Sequence, residues 1–571
     1  MSSMEAAPRH GSANQSHPWG FVVPAFAVLA VFFLTPTIYN FIYAFTDWSS
    51  FKTAINPVGW SNFSDLIASG SLRKSLTITL IYAAGVATLQ NLFGLMLAVL
   101  LERDTLVNKI VRVIFFIPVI LSALATGYIF QALLRPDGGL NQMLGIFTGS
   151  PVKVSWLGST TWTLLLCIVI HSWKWMGMSM LVYLAGLKTI DAQVLEAARI
   201  DGASRWATFH QIRLPLIAPA VTFNVATALL GSMNSFDIVQ ATTGGGPGGS
   251  TELLNLFIFR TFGQGLYAQA TTMSLVLFVA VVILAFPVIG MLRRRVGKDV
   301  MTKRIIQPIG AVLLAVLVVG IPLWTVVVTA GKSQAEALIP DISLPHHWQL
   351  WTNVSTVTSQ TRIGWAYLGS LFLLVPSVVI VLIIGSMASW VLARRTGKLV
   401  SVIYALGISG IILPPAVVTL VLLLRQLGLA GRPIGMICAY VGMYLSTVIF
   451  FVTGFVRTIP ESLEEAARID GAGPMRVFVT VILPLLRPVL ATATILISLY
   501  VWNDVFYAFF VVGGRMDTLP LNLFTVASAG VHLNNWHLIF TYVLLMSVPI
   551  VMLFIAFQRS IISGITSGAV K

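Results

Sequence analysis

One lysine lies inside a long apolar run, where a positive charge is costly. Lys174 stands between Trp173 and Trp175. A cation within a membrane costs several kcal/mol unless it pairs, faces a watery cavity or extends to the boundary. A lysine donor beside flat indole rings could bind the hydroxyls and the ring face of a sugar. The alternative is a side chain that only extends to the nearby membrane boundary.

Two asparagines offer a second candidate site. Asn234 and Asn503 are 269 positions apart, and each lies near the end of an apolar run. An amide both donates and accepts hydrogen bonds, as a hydroxyl-rich ligand requires. The same group can instead bridge two helices within a membrane, which is the structural alternative.

The elements that must position these side chains are membrane helices. Of 571 residues, 57% are hydrophobic and only 10% are charged, which is more apolar sequence than a soluble core needs. We therefore predict an all-α polytopic membrane protein with about twelve transmembrane helices in two homologous six-helix halves. The predicted spans are 21–45, 75–100, 110–134, 161–187, 214–240, 267–292, 305–330, 365–393, 401–424, 434–456, 485–511 and 537–558. The predicted divisions are a cytoplasmic tail (1–17), a first transmembrane domain (18–292), a basic cytoplasmic linker (293–304) and a second transmembrane domain (305–571).

The net charge of +15 is unevenly distributed. Lysine and arginine concentrate in alternate connecting segments, most densely at 293–304, and such a bias marks the cytoplasmic side. We expect both termini in the cytoplasm and the chain in the inner or plasma membrane. This distribution argues against nucleic acid as a partner. The basic linker is first a topological anchor, and contact with anionic membrane lipid is the alternative.

An eight-residue stretch, EAARIDGA, occurs twice, starting at Glu196 and at Glu465. The 269-residue offset continues to a Leu-Pro-Leu motif and a further proline, so each copy covers 24 residues, 196–219 (hook 1) and 465–488 (hook 2). Each copy predicts a helix, a tight turn at a glycine with positive φ, and a second helix. Six predicted spans separate the hooks, which places both on the basic, cytoplasmic face.

The hook sequence resembles the cytoplasmic coupling loop of ABC importer permeases. In that family the loop docks into a cleft of a separate ATPase subunit. The resemblance implies that each hook contacts one ATPase, through Glu196, Ala197, Ala198, Asp201 and Gly202 in hook 1 and through Glu465, Ala466, Ala467, Asp470 and Gly471 in hook 2.

Three further motifs resemble the maltose-type carbohydrate permeases. They are the Trp-Lys-x-x-Gly run at 173–177, the Phe-Asp segment that leads into Thr-Gly-Gly-Gly-Pro at 236–247, and Trp-Asn-Asp at 502–504. The resemblance implies a fusion of two permease subunits, an extracytoplasmic binding protein outside and two ATPase copies inside. It also implies a sugar substrate. Carried over by position, the substrate contacts are Lys174, Trp175, Ser232, Asn234 and Ser235, and Asn503 joins them by the repeat.

Other function classes fit less well. Glycerol 3-phosphate and other polyols share the substrate motifs, and Lys174 would suit a phosphate. An ion-coupled secondary transporter would explain twelve spans but not the duplicated hook, and no nucleophile or metal cluster supports a membrane enzyme. The sequence contains no Walker A motif, so we expect this chain to bind no cofactor, with ATP and Mg²⁺ on the partner ATPase. Cys167 and Cys438 fall in predicted spans and imply no metal site.

Overall fold

The computed structural model describes residues 17–294, 308–530 and 535–568. Most of the predicted tail (1–17) and most of the predicted linker (293–304) therefore lie outside the described residues. Within the described ranges the protein is helical, with a single isolated β-bridge between Thr46 and Pro57 and no strand. The predicted all-α class is confirmed.

The helices before the linker are Trp19–Tyr43, Ser61–Ala68, Ser71–Leu100, Leu106–Ile120, Ala123–Leu133, Gly139–Thr148, Thr163–Lys188, Ala192–Ile200, Thr208–Leu216, Ala218–Met233, Asp237–Thr242, Leu254–Gly263 and Tyr267–Arg294. Those after it are Pro308–Ala315, Ile321–Ala330, Leu350–Gln360, Ile363–Arg394, Lys398–Ile408, Val417–Gln426, Pro433–Val456, Ser462–Ile469, Pro474–Leu485, Arg487–Asn503, Phe506–Val511, Leu519–Gly530 and Trp536–Gly568.

The predicted spans fall on apolar helices, but not all of them are continuous. Among the described residues, 7 helices are long and apolar enough to cross a membrane, or 10 if each of three bent helix pairs is one span. The two other predicted spans fall on shorter apolar helices, Lys398–Ile411 followed by Val417–Gln426, and Trp536–Met552. The break before Val417 contains Pro414 and Pro415, which interrupt a continuous helix.

The predicted span 214–240 is not one continuous helix. Helix Thr208–Leu216 meets helix Ala218–Met233 at 69°, and the chain breaks again before helix Asp237–Thr242. The equivalent bend in the second half is 75°, and the third predicted span bends by 99° after Ile120. The 99° bend lies within an apolar span and frees backbone carbonyls there, and those groups need partners from elsewhere in the fold.

The two halves exchange packing partners. Helix Trp19–Tyr43 packs against helices of the second half, and the Thr419 hydroxyl donates to the Pro36 carbonyl at 2.6 Å. In return, the first helix after the linker packs against the first half, where the Trp173 indole donates to the Val318 carbonyl at 2.6 Å. Each half therefore depends on one helix of the other for its packing.

Candidate functional site: two hooks and a cavity between the halves

Both hooks fold as two helices joined at a left-handed glycine. Gly202 follows helix Ala192–Ile200 with a φ of +75°, and Gly471 follows helix Ser462–Ile469 with a φ of +80°. The amide after each glycine donates to the carbonyl five positions back, at 2.9 Å in hook 1 and 3.0 Å in hook 2. This bond closes the first helix by satisfying one of its free carbonyls. The positive φ predicted at both glycines is confirmed.

Each hook presents an isolated apolar side chain beside its turn. Ile200 is 82% exposed and Ile469, its counterpart in the repeat, is 85% exposed. The polar and small hook residues named from the sequence are mostly exposed too. Exposed are Glu196, Ala197, Asp201, Gly202, Glu465, Ala466, Asp470 and Gly471, whereas Ala198 is buried and Ala467 is half-buried. The two hooks thus offer the same accessible surface.

Hook 1 is held to the loop at 101–105 by one ion pair near the surface, and that loop makes further ion pairs to the neighbouring helices. The Arg213 guanidinium lies 2.5 Å from the Glu102 carboxylate. In the same loop, Asp104 lies 2.9 Å from the Lys188 ammonium and 3.0 Å from the Arg112 guanidinium. Hydrogen bonds from Lys188 and Arg112 lower the pKa of Asp104 to about 2. The Asp104 side chain is 55% exposed, so water screens these pairs.

Hook 2 is held by a buried carboxylate. Glu464 is 1% exposed and accepts hydrogen bonds from Arg394 Nε at 2.7 Å, Trp390 Nε1 at 3.0 Å and Arg468 Nη2 at 3.2 Å. His17 Nε2, from the start of the first half, lies 3.0 Å from the same carboxylate. Burial alone would raise the pKa of Glu464, but the bonds from His17 and Arg394 hold it below its usual value.

A cavity of about 450 Å³ lies between the two halves. It is lined by side chains of both halves, mainly apolar and aromatic, with a few amides and hydroxyls. The Tyr444 and Tyr500 rings stack there, with centroids 5.8 Å apart and planes 7° apart. Its size and mixed lining suit a small ligand with flat apolar faces and hydroxyl groups. Lining aromatic and polar residues include Trp175, Phe223, Tyr444, Tyr500, Tyr507, Gln90, Asn224, Thr227 and Asn234.

Lys174 lies beside this cavity but does not line it. Its side chain is 2% exposed, and its ammonium donates to the carbonyls of Pro118, Val119 and Leu121 at 3.3, 3.2 and 2.5 Å. These carbonyls lie at the 99° bend, so Lys174 satisfies the backbone groups that the bend frees. The ammonium also lies 4.9 Å from the centroid of the Trp175 ring, which does line the cavity.

Of the other predicted sugar contacts, some line the cavity and some do not. Asn234 lines the cavity at the point where helix Ala218–Met233 ends. Ser232 and Ser235 are buried and are not lining residues, and the Ser232 hydroxyl donates to a carbonyl of its own helix. Asn503 ends its helix at the equivalent place but is not a lining residue either. The cavity therefore brings together Trp175 and Asn234 of the predicted set.

Comparison with protein families identifies the family of this chain. The family model described as "Binding-protein-dependent transport system inner membrane component" matches the chain twice, at residues 90–298 and 381–567. The chain belongs to this family. It is a multi-pass membrane permease that carries two copies of the permease domain in one polypeptide.

The permease also resembles individual sugar-transport proteins. The melibiose/raffinose/stachyose import permease protein MelC of Bacillus subtilis is 35% identical over 44% of this chain and 91% of its own length. The lactose transport system permease protein LacF of Rhizobium radiobacter is 30% identical over 47% of this chain and 91% of its own length. A solved bacterial alginate ABC transporter, with an alginate pentasaccharide-bound periplasmic protein, matches 49% of this chain and 96% of the matched chain, at 22% identity and a TM-score of 0.43. These relatives each match about half of the fused permease.

Several lining residues of the permease were not predicted. Tyr444 and Tyr500 carry no signal in the sequence, because tyrosines recur elsewhere in the spans. Asn224 could have been predicted from the sequence, because an amide inside an apolar run is costly without a partner. The conspicuous Asp504, after Asn503, accepts from the Tyr440 hydroxyl at 2.8 Å and from the Ala508 amide at 2.9 Å, so it caps a short helix.

Proposed function

We propose that the permease imports a sugar or oligosaccharide that an extracytoplasmic binding protein delivers to it. Two copies of a separate ATPase dock on hook 1 and hook 2 and supply the energy. The observation that carries the proposal is the aromatic and amide-lined cavity of about 450 Å³ between the two halves. A transporter that alternates between two openings needs its substrate at the contact of its moving parts. The sugar-transporting relatives support the same substrate class.

The cavity lining favours neutral sugars over phosphorylated polyols. Neither lysine nor arginine belongs to the lining of this cavity in the described part of the chain. A phosphate ester would need such a cation to replace its hydration. Lys174 is committed to backbone carbonyls, so it is not free to supply one.

Trp175 and Asn234 are the direct sugar contacts in this proposal. An indole face packs on the apolar face of a pyranose ring, and the amide bonds its hydroxyls. Lys174 positions Trp175 by lying over its ring and by fixing the bent helix beside it. Ser232, Ser235 and Asn503 contribute by shaping the helix ends where the spans break, and Asn503 becomes a contact if the halves rotate.

The hooks transmit the movement of the ATPase pair to the membrane helices that surround the cavity. ATP and Mg²⁺ bind to the ATPase pair, whose closure brings the hooks together, and the halves then turn the cavity outward. Rigid helices on both sides of Gly202 and Gly471 let each hook transmit this motion. The orientation follows from the basic segments: both hooks and both termini are cytoplasmic.

The test is ATP-dependent uptake in proteoliposomes that contain the permease together with its cognate ATPase and binding protein. Tritiated raffinose and lactose are compared with glycerol 3-phosphate. Uptake of a sugar that requires ATP and the binding protein, and that falls at least tenfold in Trp175→Ala, supports the proposal. Preferential uptake of glycerol 3-phosphate would show that the substrate is a phosphorylated polyol and not a sugar. Uptake driven by an ion gradient without ATP would overturn the transport mechanism.

A further inference from the structure

Three tyrosines of the second half line the cavity between the halves. Tyr444, Tyr500 and Tyr507 belong to three different helices, and all three side chains are lining residues. The Tyr444 and Tyr500 rings are stacked with their planes 7° apart. A tyrosine combines a flat apolar face with a hydrogen-bonding tip, and a sugar ring can match both. We call these three residues the tyrosine wall.

The hydroxyls of the tyrosine wall are accessible and have no hydrogen-bond partner in the described part of the chain. Tyr500 is 44% exposed. Tyr444 and Tyr507 are half-buried, and neither hydroxyl is among the buried polar atoms that lack a partner. Their oxygens can therefore be reached from the cavity that the side chains line. Each phenol can donate one hydrogen bond and accept another, so the wall offers unused groups of both kinds.

The amides of the first half that line the same cavity already use N–H groups within the fold. Asn234 Nδ2 donates to the Leu230 carbonyl at 2.9 Å. Asn224 Nδ2 donates to the Ser179 carbonyl at 3.3 Å, and Gln90 Nε2 donates to the Ser179 hydroxyl at 2.9 Å. A hydroxyl-rich ligand can bond to the tyrosine wall without breaking any of these bonds.

Asp504 supports the tyrosine wall although it does not line the cavity. Its carboxylate accepts from the Tyr440 hydroxyl at 2.8 Å and from the backbone amide of Tyr507 at 3.2 Å. Tyr440 is 1% exposed, and its ring centroid lies 6.1 Å from that of Tyr444, which in turn stacks on Tyr500. One carboxylate thus connects to every member of the wall. A wall that is fixed before the ligand arrives costs less ordering entropy on binding.

We propose that the tyrosine wall is a sugar-binding subsite contributed by the second half, and that Asp504 is its positioning residue. This inference rests on the proposed function as a carbohydrate importer. The three phenol hydroxyls bond to sugar hydroxyls, while Trp175 of the first half packs on a ring face. Because the sugar contacts both halves, a rotation of one half against the other changes how tightly the sugar is held.

The test removes single hydroxyls and keeps the rings. Tyr444→Phe and Tyr500→Phe are compared with Tyr404→Phe. Tyr404 is the matched control, because its hydroxyl also has no partner among the described residues and it does not line the cavity. In nanodiscs that contain the permease and its cognate ATPase, we would measure the raffinose or lactose concentration that gives half of the maximal shift in melting temperature. In proteoliposomes with the binding protein, sugar uptake and ATP hydrolysis are measured together.

We expect the half-maximal sugar concentration to rise about fivefold in Tyr444→Phe and in Tyr500→Phe, as the loss of one hydrogen bond implies. The amount of sugar transported per ATP should fall in both variants. Stimulation of ATP hydrolysis by the binding protein should stay within about twofold, because the hooks are unchanged. The melting temperature without sugar should not fall, since the removed hydroxyls have no partner in the described part of the chain.

A double-mutant comparison tests the positioning role of Asp504. Asp504→Asn keeps the shape of the side chain but weakens its acceptor for the Tyr440 hydroxyl, so it should also raise the half-maximal sugar concentration. Adding Tyr444→Phe to Asp504→Asn should then have a smaller effect than Tyr444→Phe alone, because the two residues act through one ring. Fully additive effects would refute the positioning role.

Two results would overturn the sugar subsite itself. One is sugar binding and transport in Tyr444→Phe and Tyr500→Phe that match those of Tyr404→Phe. The other is a fall in ATP hydrolysis in proportion to uptake, which would assign the tyrosines to coupling. If the wild type shows no thermal shift, the ratio of sugar to ATP decides alone, and if one variant does not reach the membrane, the other decides. If the wild type transports neither sugar, the proposed function itself fails, and that result is distinct from failure of the tyrosine wall.

Discussion

The two hooks share eight identical residues and one turn geometry, yet the fold holds them differently. The residue just before hook 1 is Leu195, and its counterpart before hook 2 is Glu464. With a leucine at this position, hook 1 is attached through the ion pair between Arg213 and Glu102 at the surface. The glutamate instead connects hook 2 to a buried cluster that includes His17 of the other half. A motif for docking a partner can therefore be duplicated while its attachment to the fold diverges.

The difference has a physical consequence for rigidity. A buried carboxylate is stable only while its hydrogen bonds are complete, so it fixes the position of its neighbours. Ion pairs near water are screened and contribute on the order of 0 to 1 kcal/mol. We expect hook 2 to be fixed rigidly to the helices that carry its buried cluster and hook 1 to be the more adjustable of the two.

The largest effect should be the same in both hooks. Gly202→Asp and Gly471→Asp place a side chain at a φ of +75° or +80°, which costs about 1 to 2 kcal/mol, and add a charge at the docking surface. We expect each change to abolish uptake while the permease still inserts into the membrane. Uptake and membrane abundance in whole cells are the measurements. Normal transport by both variants would refute the coupling role.

A neighbouring glycine separates turn strain from added charge. Gly473 also lies in hook 2 with no atom near its Cβ position, but its φ is −68°, which any residue can adopt. Gly473→Asp should therefore transport much more than Gly471→Asp. Equal loss in the two would attribute the effect to charge at the surface rather than to the turn.

The next largest effect should distinguish the hooks. Glu464→Gln removes the charge that Arg394 and its neighbours surround, and we expect a loss of about 3 kcal/mol in the free energy of unfolding. Glu102→Gln at hook 1 should cost less than about 1 kcal/mol. Thermal unfolding of the purified permease in nanodiscs, monitored by tryptophan fluorescence, compares them. Equal shifts in melting temperature would show that the two attachments are equivalent.

Acid should weaken hook 2 more than hook 1. Because the folded pKa of Glu464 is below its unfolded value of roughly 4.3, its contribution is complete above that value and is lost as the pH falls through the folded pKa. Asp104 near hook 1 has a pKa of about 2 and is half-exposed, so water screens its ion pairs and their loss in acid is small. Melting temperatures from pH 6 down to pH 3 should fall less steeply in Glu464→Gln than in wild type. Parallel curves for the two proteins would show that Glu464 does not contribute to the loss of stability in acid.

The smallest effect concerns the link between the halves. His17→Ala removes a partner that lies 3.0 Å from Glu464, and we expect a loss of about 1 kcal/mol with uptake reduced less than threefold. His210→Ala, in hook 1, is the matched control. A larger fall in melting temperature for the hook 1 variant would contradict the tighter attachment of hook 2.

Much of the local structure was predictable because the signals are local. A glycine after a helix-forming run indicates a left-handed helix end, and both hooks have it. Apolar runs located the spans for the same reason. The 99° bend could not be predicted, because the ammonium that satisfies its carbonyls comes from Lys174, more than fifty residues along the chain. The same bond explains why a lysine read as a sugar contact does not line the cavity.

The sequence by itself determined the all-α class, the internal repeat and the turn of each hook. These depend on residue type and spacing over short distances. Only the tertiary structure decided which side chains meet. It brought Trp175 and Asn234 of one half to Tyr444 and Tyr500 of the other, and it joined His17 to Glu464. Such meetings depend on how bent helices of two halves pack, and packing is a property of the whole chain rather than of any one segment.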